Sequence, residues 1–387
     1  MTLPAWPIYE PDEIEAAVAV LKSGKVNAWT GIDCRNFEEE FAKYTGVSHA
    51  LALANGTLAL EAALAALDIK AGADVLVSPR SFVASASCVV ARGGRPVFAD
   101  VDRNSQCVTA ATLEAARTPE TQAAIVVHLA GWPCDMPSIM EWAATHDIKI
   151  IEDAAQAHGA AINDKPVGSH GHAAAMSFCQ DKIMSTGGDG GMLFTNDADV
   201  YKIAWSNREH GKSWDAVHRD DHPPGFRWLI ESFGSNWRMT CPQAAIGLCQ
   251  LGKLDDWVTR RTRNAMMLHD HLSSLDGVRC PTPDADIRHA WYRFYCFVEP
   301  DRLREGWNRD RIMHEINAAG WPCQVGSCPE IYREPAFIEA GFAPTDRLPV
   351  ARELGETSLA MLVHHGIDED TMKNYAATVA EIIRSAC

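Results

Sequence analysis

Short apolar runs that alternate with helical stretches are the feature that most constrains how this chain can fold. The runs have the length and continuous apolar character of strands buried on both faces; they are Asp74–Val77, Pro96–Ala99, Ala124–Leu129, Ile148–Ile151, Ala175–Phe178 and Met192–Thr195. Helical stretches such as Ala110–Ala116 and Met136–Thr145 separate several of them. The alternation predicts an α/β fold with a mostly parallel central sheet covered by helices. Because such sheets bind ligands at the carboxyl ends of their strands, we expect functional residues just after these runs.

The character of the sequence changes after about Lys253. The predicted elements beyond it are a long polar helix, a strand and two further helices, at Asp255–Leu275, Tyr292–Val298, Arg309–Ala319 and Glu369–Ser385. A chain of 387 residues is long for a single domain. We therefore predict a large α/β domain over residues 1–250 and a smaller α+β domain over residues 251–387.

Composition excludes some classes of partner. The net charge of −16 argues against nucleic acid, because phosphate backbones bind basic surfaces. It does not exclude a phosphorylated small ligand, which a few local donors can hold inside a cleft. The N-terminal segment lacks the basic start and apolar core of a signal peptide, and no apolar run reaches the ~18–20 residues of a membrane span. We expect a cytoplasmic protein that does not bind membranes.

Cysteine and histidine are abundant but are not spaced as metal ligands. Twelve cysteines in a long chain of this kind are expected to be reduced core residues rather than disulfides. Cys323 and Cys328 lack a second pair, and the fifteen histidines show no HExxH-like arrangement. No metal is expected.

Two segments carry polar groups where a strand meets a turn or a helix. Asn55-Gly56-Thr57 leads into an Ala/Leu-rich helix, so its free N–H groups could bind an anion, or it could simply be a turn with a helix cap. Glu152-Asp153 ends an apolar run. A carboxylate there could be catalytic or could cap a loop.

The third segment ends in Lys182, which follows the run at Ser177-Phe178 and precedes the glycine-rich stretch Gly187–Gly191. Burial would lower the pKa of such a lysine and leave a nucleophilic amine suited to Schiff-base chemistry, although most lysines are only solvated surface charges. The glycine-rich stretch is neither a P-loop nor a dinucleotide fingerprint. A fourth segment, Gly234–Met239, precedes Pro242-Gln243.

The order and spacing of these segments resemble the DegT/StrS-type family of pyridoxal-phosphate (PLP)-dependent nucleotide-sugar aminotransferases. That family belongs to the fold-type I, aspartate aminotransferase-like group. The resemblance runs from about residue 7 to the C-terminus and is strongest in three strings: EDAAQAHGA at Glu152–Ala160, SFCQDKIMSTGGDGGMLFTN at Ser177–Asn196, and GSNWRMTCPQAAIGLCQLGKL at Gly234–Leu254. Three long strings in the right order make the resemblance specific.

The resemblance implies catalytic roles for two residues and a binding role for a third. Lys182 matches the lysine that carries PLP as a Schiff base and later shuttles a proton. Asp153 matches the acid beneath the pyridine nitrogen, where a carboxylate keeps that nitrogen protonated. Gln156 matches the residue that hydrogen-bonds the ring oxygen of the cofactor.

The resemblance also implies how the phosphate and the ring are held. Gly56 and Thr57 match the phosphate cradle, to which Ser177 adds a hydroxyl. Asn236 matches a residue that reaches the phosphate from the partner subunit, which implies a homodimer with shared active sites. Phe82 falls where the family stacks an aromatic ring on the cofactor, although a core phenylalanine after a strand would look the same.

The substrate side is less defined. His158, His210 and Arg238 are candidates for lining it, and structural roles are equally open for all three. Ile183 and Met184 stand after the lysine where many relatives have Asn, and Trp321–Ser327 replaces a His-Tyr-x-Pro-type element of the family. Because that element helps to form the sugar side, the resemblance does not identify the substrate. Relatives that dehydrate sugars have His in place of the lysine, so Lys182 favours transamination.

The resulting hypothesis is an aminotransferase with ping-pong kinetics. It would move an amino group from an amino acid, in the family usually glutamate, to the keto group of a nucleotide-linked sugar. Amination of a keto-cyclitol is the nearest alternative. A PLP-binding regulatory protein without turnover is an alternative from another class.

Overall fold

The computed structural model describes residues 3–222 and 224–387. Its strands are β1 His49–Leu53, β2 Asp74–Val77, β3 Arg95–Phe98, β4 Thr121–Val127, β5 Lys149–Asp153, β6 Ala161–Ile162, β7 Lys165–Pro166, β8 Ala173–Ser177, β9 Gly191–Thr195, β10 Val278–Arg279, β11 Ile287–Arg288, β12 Phe294–Val298, β13 Cys323–Gln324 and β14 Ser358–Met361. Its helices are α1 Pro11–Ser23, α2 Asp33–Thr45, α3 Gly56–Ala66, α4 Ala84–Ala91, α5 Ala110–Ala116, α6 Met136–His146, α7 Ala198–Arg208, α8 Trp214–His218, α9 Cys241–Leu251, α10 Leu254–Leu272, α11 Arg309–Ala318, α12 Pro335–Glu339, α13 Pro349–Thr357 and α14 Glu369–Ala386.

A seven-stranded sheet forms the centre of the molecule, with strand order β1-β9-β8-β5-β4-β2-β3. All neighbouring strands from β8 to β3 run parallel, whereas β9 is antiparallel to both β1 and β8. The prediction of a mostly parallel sheet is therefore confirmed. The register pairs Val127 with Asp153 and Asp153 with Ala175, so the carboxyl ends of β4, β5 and β8 meet at one edge.

The strands are continuously apolar because both faces of the sheet are covered. Alternate residues such as Val75, Ile125 and Ile151 pack into a core that includes α3 and α4. Their neighbours, including Leu76 and Ile150, pack into a second core on the opposite face, with α5 and α6. Period-two alternation thus places every side chain of these strands against a helical layer.

A second, four-stranded sheet lies in the C-terminal part of the chain, with the antiparallel order β10-β12-β14-β13. Its core includes residues of α10, α11 and α14 and of strand β12. These are the three helices and the strand that the sequence predicts in this part of the chain. The domain boundary near residue 250 stays a prediction. All twelve cysteines are free, and no helix in residues 3–222 and 224–387 combines the length and apolar character that crossing a membrane requires.

The apolar residues Ile14, Ala17, Val18 and Leu21 have the spacing of one helix face, which predicts a helix over Asp12–Leu21. Helix α1 forms there, but this apolar stripe faces outward. Ile14, Val18 and Leu21 are 53%, 39% and 61% exposed. Glu13 is buried instead, because Lys253 Nζ lies 2.9 Å from its carboxylate and Gln250 Nε2 donates to it at 3.1 Å. A charged anchor sets the orientation of this helix, and its apolar face remains uncovered within the chain.

Candidate active site

The carboxyl ends of the parallel strands open into a cavity of about 740 Å³. Seven of the residues that the sequence singled out line it together: Gly56, Thr57, Phe82, Asp153, Gln156, Ser177 and Lys182. They come from the start of α3, the segment after β2, the ends of β5 and β8, and the turn after β8. The sheet topology therefore brings together residues that are up to 126 positions apart, from Gly56 to Lys182.

Strand alternation gives the two acidic residues at the end of β5 opposite surroundings. Glu152 points away from the cavity and accepts hydrogen bonds from His128 Nε2 and from the backbone N–H groups of Gly168, His170 and Gly171, at 2.7–3.0 Å. Burial acts to raise its pKa, but these partners, His128 first, lower it to about 2. Glu152 thus anchors the loop after β7, which leaves Asp153 as the acidic residue of β5 that lines the cavity.

Asp153 is buried and held by two donors. Ser85 Oγ donates to Asp153 Oδ2 at 2.7 Å, and the Ala155 N–H donates to Oδ1 at 3.2 Å. A further hydroxyl, Ser81 Oγ, lies 2.9 Å from Ser85 Oγ. Burial raises the pKa of Asp153, and the Ser85 hydrogen bond opposes this only in part. The carboxylate is therefore fixed in place but short of compensating positive charge.

Lys182 extends into the same cavity with 13% of its side chain exposed. Its Nζ lies 3.4 Å from Asp181 Oδ1 and 5.1 Å from the centre of the Tyr292 ring. Burial acts to lower the pKa of Lys182, as the sequence suggested, but Tyr292 and Asp181 outweigh it and the net shift is upward. The expectation of a lowered lysine pKa is wrong for this state, because an adjacent carboxylate holds the ammonium.

Gln156 presents one end of its amide to the cavity. The Ala130 N–H donates to Gln156 Oε1 at 2.8 Å. Ala130 lies in a tight turn with a positive φ of 57°, which directs this N–H at the side chain. With its oxygen engaged, Gln156 offers Nε2 as a hydrogen-bond donor to a ligand oxygen.

An anion site forms where α3 approaches the end of β8. Asn55 caps the helix by accepting from the Leu58 N–H at 2.9 Å, and the N–H groups of the first turn face the cavity. A Cβ at position 56 would lie 2.6 Å from Ser177 Cβ, so only glycine permits this approach. Free N–H groups, the positive end of the helix dipole and the Ser177 hydroxyl together suit a phosphate.

Phe82 stands between this cavity and a second one of about 250 Å³, lining both. The ring is 65% exposed, which is unusual for a phenylalanine that follows a buried strand. The second cavity is also lined by residues from the C-terminal sheet and its loops: Tyr292, Arg293, Tyr295, Gln324, Gly326 and Ser327. The exposed face of Phe82 is thus available for stacking on a flat ligand.

Comparison with known proteins agrees with this geometry. Residues 7–380 match the DegT/DnrJ/EryC1/StrS aminotransferase family. The chain belongs to this family. GDP-perosamine synthase of Caulobacter vibrioides is 36% identical over 353 residues, which is 90% of this chain and 89% of that protein. An L-glutamine:2-deoxy-scyllo-inosose aminotransferase of Streptoalloteichus tenebrarius is 32% identical, covering 98% of this chain and 94% of that one.

A solved aminotransferase structure from Psychrobacter cryohalolentis superposes with a TM-score of 0.97 and 46% identity, covering 99% of both chains. The fold-type I assignment is confirmed. This member of the DegT/DnrJ/EryC1/StrS family is a PLP-dependent aminotransferase that acts on sugars or cyclitols. Its cavity fits the cofactor, since its lining contains both the cradle that excludes a Cβ at Gly56 and the buried Asp153 carboxylate, which has no ion-pair partner among the described residues.

The remaining residues singled out from the sequence lie outside both cavities of this aminotransferase. His158 is fully buried against Phe178, and neither ring nitrogen has a hydrogen-bond partner among the described residues. Burial, with the charge of Lys182, lowers its pKa to about 3. Arg238 pairs with Glu209 at 2.6 Å, while His210 and Asn236 are exposed.

Sequence reasoning missed Ser85, Tyr292 and Arg293. Ser85 stands three residues after Phe82, on helix α4. A single serine in a helix does not by itself indicate a functional role. Tyr292 was assigned only to a strand. Its hydroxyl donates to Asp181, beside Lys182, and no spacing rule connects positions 111 residues apart.

Proposed function

We propose that this aminotransferase moves an amino group from glutamate to the keto group of a nucleotide-linked deoxysugar, in two half-reactions at one site. The observation that carries the proposal is the convergence of Lys182, Asp153 and Gln156 on a cavity that continues past Phe82 into a second one. The first cavity suits the cofactor and the second suits the substrates in turn. Sharing of one site by two substrates predicts ping-pong kinetics.

In this proposal Lys182 and Asp153 are the catalytic residues. PLP, when bound, supplies an electron sink for the negative charge that develops on the carbon next to the transferred nitrogen. Lys182 Nζ holds the cofactor covalently before the donor arrives and afterwards moves a proton as a general base and acid. Asp153 keeps a proton on the pyridine nitrogen, and that positive charge compensates the buried carboxylate.

The other cavity residues hold and orient the cofactor. The first turn of α3, at Gly56 and Thr57, and the Ser177 hydroxyl bind its phosphate. Gln156 Nε2 donates to its ring oxygen. Phe82 stacks on the ring, which fixes the plane in which the reacting bond must lie. These assignments are supported by the family resemblance and by the presence of all five residues in the lining of the cavity.

We also propose that the active protein is a homodimer in which Asn236 reaches the phosphate site of the partner. Asn236 is exposed and lies outside the cavity of its own chain. The segment that leads to it carries large apolar side chains in contact with solvent: Phe226, Trp228, Ile230 and Phe233 are 78%, 88%, 57% and 102% exposed. Exposed apolar surface on this scale is typical of a protein interface, and the outward stripe of α1 adds to it.

The experiment that tests the function separates the two half-reactions by absorbance. The PLP-loaded protein is mixed with glutamate or glutamine, and loss of the cofactor band reports the first half-reaction. The aminated enzyme, freed of donor, is then given GDP-, UDP- or dTDP-linked keto-sugars, or scyllo-inosose. Recovery of the band only with a nucleotide-linked keto-sugar is the expected result. Recovery only with scyllo-inosose would instead identify a keto-cyclitol as the acceptor, as the names of two relatives state for those proteins.

Lys182→Ala serves as the control in the same experiment. It should show neither the starting band nor any response to an amino acid. A wild-type protein that binds PLP but responds to no amino acid would favour the regulatory alternative.

A further inference from the structure

Arg293 lines the second cavity and immediately precedes β12. Its guanidinium carbon lies 4.5 Å from the centre of the Tyr292 ring, and Lys182 Nζ lies 5.1 Å from the same centre. The two cations therefore flank one aromatic ring. Both residues line the second cavity, so a ligand held near Lys182 shares this space with Arg293.

The guanidinium of Arg293 forms no ion pair among the described residues. Its one polar contact is a long hydrogen bond of 3.5 Å from Nη1 to the carbonyl oxygen of Tyr292. Asp181 is the one carboxylate in the lining of this cavity, and the Tyr292 hydroxyl and Lys182 already engage it. Arg238, which lies outside both cavities, differs in that it pairs with Glu209 at 2.6 Å. Arg293 is thus a cation with unused donors facing a space of ligand size.

The surroundings of this cavity are positive although the chain as a whole carries −16. Arg261, which contacts the backbone of Trp291, is 1% exposed and has no carboxylate partner among the described residues. Its Nη1 donates to the Trp291 carbonyl at 3.2 Å and its Nε is unpartnered. Buried cations act over longer distances than solvated ones, because little water screens them. The field at Arg293 therefore favours an anion.

We infer that Arg293 binds the α-carboxylate of the amino-acid donor. The inference rests on the proposed function, in which an α-amino acid supplies the nitrogen. An α-carboxylate is bonded to the same carbon as the reacting amine, so it must lie close to Lys182 Nζ, in the cavity that Lys182 and Arg293 both line. The diphosphate of a nucleotide-linked sugar is separated from its keto carbon by the sugar ring and extends farther out. A planar guanidinium also matches a carboxylate with two parallel hydrogen bonds.

The test compares Arg293→Gln and Arg293→Lys with wild type in the first half-reaction alone. PLP-loaded protein is titrated with glutamate, and the dependence of the absorbance change on concentration gives the apparent Kd. Loss of hydrogen bonds to a charged group predicts an increase in this Kd on the order of 10- to 100-fold for Arg293→Gln. Lys restores the charge without the planar geometry and should recover part of the affinity.

Two controls make the result specific. Arg288→Gln removes a nearby exposed arginine that pairs with Asp255 outside the cavity, and it should leave the Kd within twofold of wild type. γ-Aminobutyrate is glutamate without its α-carboxylate, so its reaction should be equally slow in wild type and in Arg293→Gln. The amination of the keto-sugar by pre-aminated enzyme should change little in the variant.

Three outcomes would overturn the assignment. One is an unchanged Kd for glutamate in Arg293→Gln. Another is an equal loss for glutamate and for γ-aminobutyrate, which would indicate a structural role. The third is a defect confined to the keto-sugar half-reaction, which would assign Arg293 to the diphosphate. A wild-type protein whose spectrum no α-amino acid changes would instead overturn the proposed function itself, together with this inference.

Discussion

Replacement of Ser85 by Ala tests how the cavity fixes its carboxylate. Ser85 and Asp153 are 1% and 5% exposed, and the Ser85 hydroxyl donates to Asp153 Oδ2 at 2.7 Å. The variant removes one of the two donors that hold Asp153 and leaves the Ala155 N–H at 3.2 Å. The carboxylate would thus remain buried with half of its hydrogen bonding.

The magnitude follows from the kind of bond that is lost. A buried hydrogen bond to an ionised group contributes about 1.5–3 kcal/mol to stability. The bond stabilises the ionised form of Asp153, so its removal raises the pKa of that carboxyl further above its ordinary value. The loss of stability is therefore complete at a pH above the raised pKa and decreases as the pH falls through it. We therefore expect a larger loss at pH 8 than at pH 5.

Chemical denaturation of the cofactor-free protein at the two pH values measures this difference. Ser87→Ala is the matched control, since Ser87 lies on the same helix, is only partly buried and makes no side-chain hydrogen bond among the described residues. It should change the unfolding free energy by about 0.5 kcal/mol or less. An equal loss for Ser85→Ala at pH 8 and pH 5 would refute the argument, because it would mean that the bond does not depend on the charge of Asp153.

Three further predictions concern the cradle, the aromatic ring and the buried histidines. Gly56→Ala should weaken PLP binding roughly 10-fold or more in a titration of the apoprotein. The reason is that the added Cβ would lie 2.6 Å from Ser177 Cβ, and overpacking of this kind costs about 1–3 kcal/mol. In the control Gly252→Ala the nearest atom to the added Cβ is 3.6 Å away, so this variant should bind PLP normally. Phe82→Ala should leave the melting temperature almost unchanged, since the ring is 65% exposed, and should weaken PLP binding roughly 2- to 10-fold. A loss of folding free energy as large as the loss of binding free energy would contradict this prediction. Burial lowers the pKa of His158, His289 and His364 to about 3. Because the unfolded chain binds their protons below about pH 6.5 and the folded protein does not, the stability falls as the pH decreases below 6.5, by roughly 1.4 kcal/mol per pH unit for each histidine. His364→Phe should make that decline shallower in denaturation at pH 7.5 and 5.5, and an unchanged slope would contradict it.

The central sheet could be predicted because strands that are buried on both faces appear in the sequence as short, continuous apolar runs. Asp74–Val77 and Ala110–Ala116 form a strand and a helix with the predicted bounds. Helix α2 was not predicted, since its apolar residues Phe37 and Phe41 stand in a segment of many charges. The orientation of α1 was also not predictable, because it depends on the ion pair between Glu13 and Lys253, 240 residues apart.

The same distinction holds for the site. Lys182, Asp153 and Gln156 stand at strand ends within long, recognisable strings, so local sequence and resemblance place them in one cavity. Ser85 and Arg293 act through contacts that the tertiary fold creates. The pKa of Lys182 was predicted in the wrong direction, because burial could be inferred from the sequence whereas the position of Tyr292 beside Asp181 could not.

The most direct test of the account is to locate the lysine that carries the cofactor. Borohydride reduction makes a bond between PLP and a lysine permanent, and mass spectrometry of the digested protein then identifies the modified residue. We predict a single phosphopyridoxyl group on the peptide that contains Lys182, and its loss when the protein is treated with glutamate before reduction. Modification of a different lysine, or a Lys182 peptide that remains unmodified in PLP-loaded protein, would contradict the account.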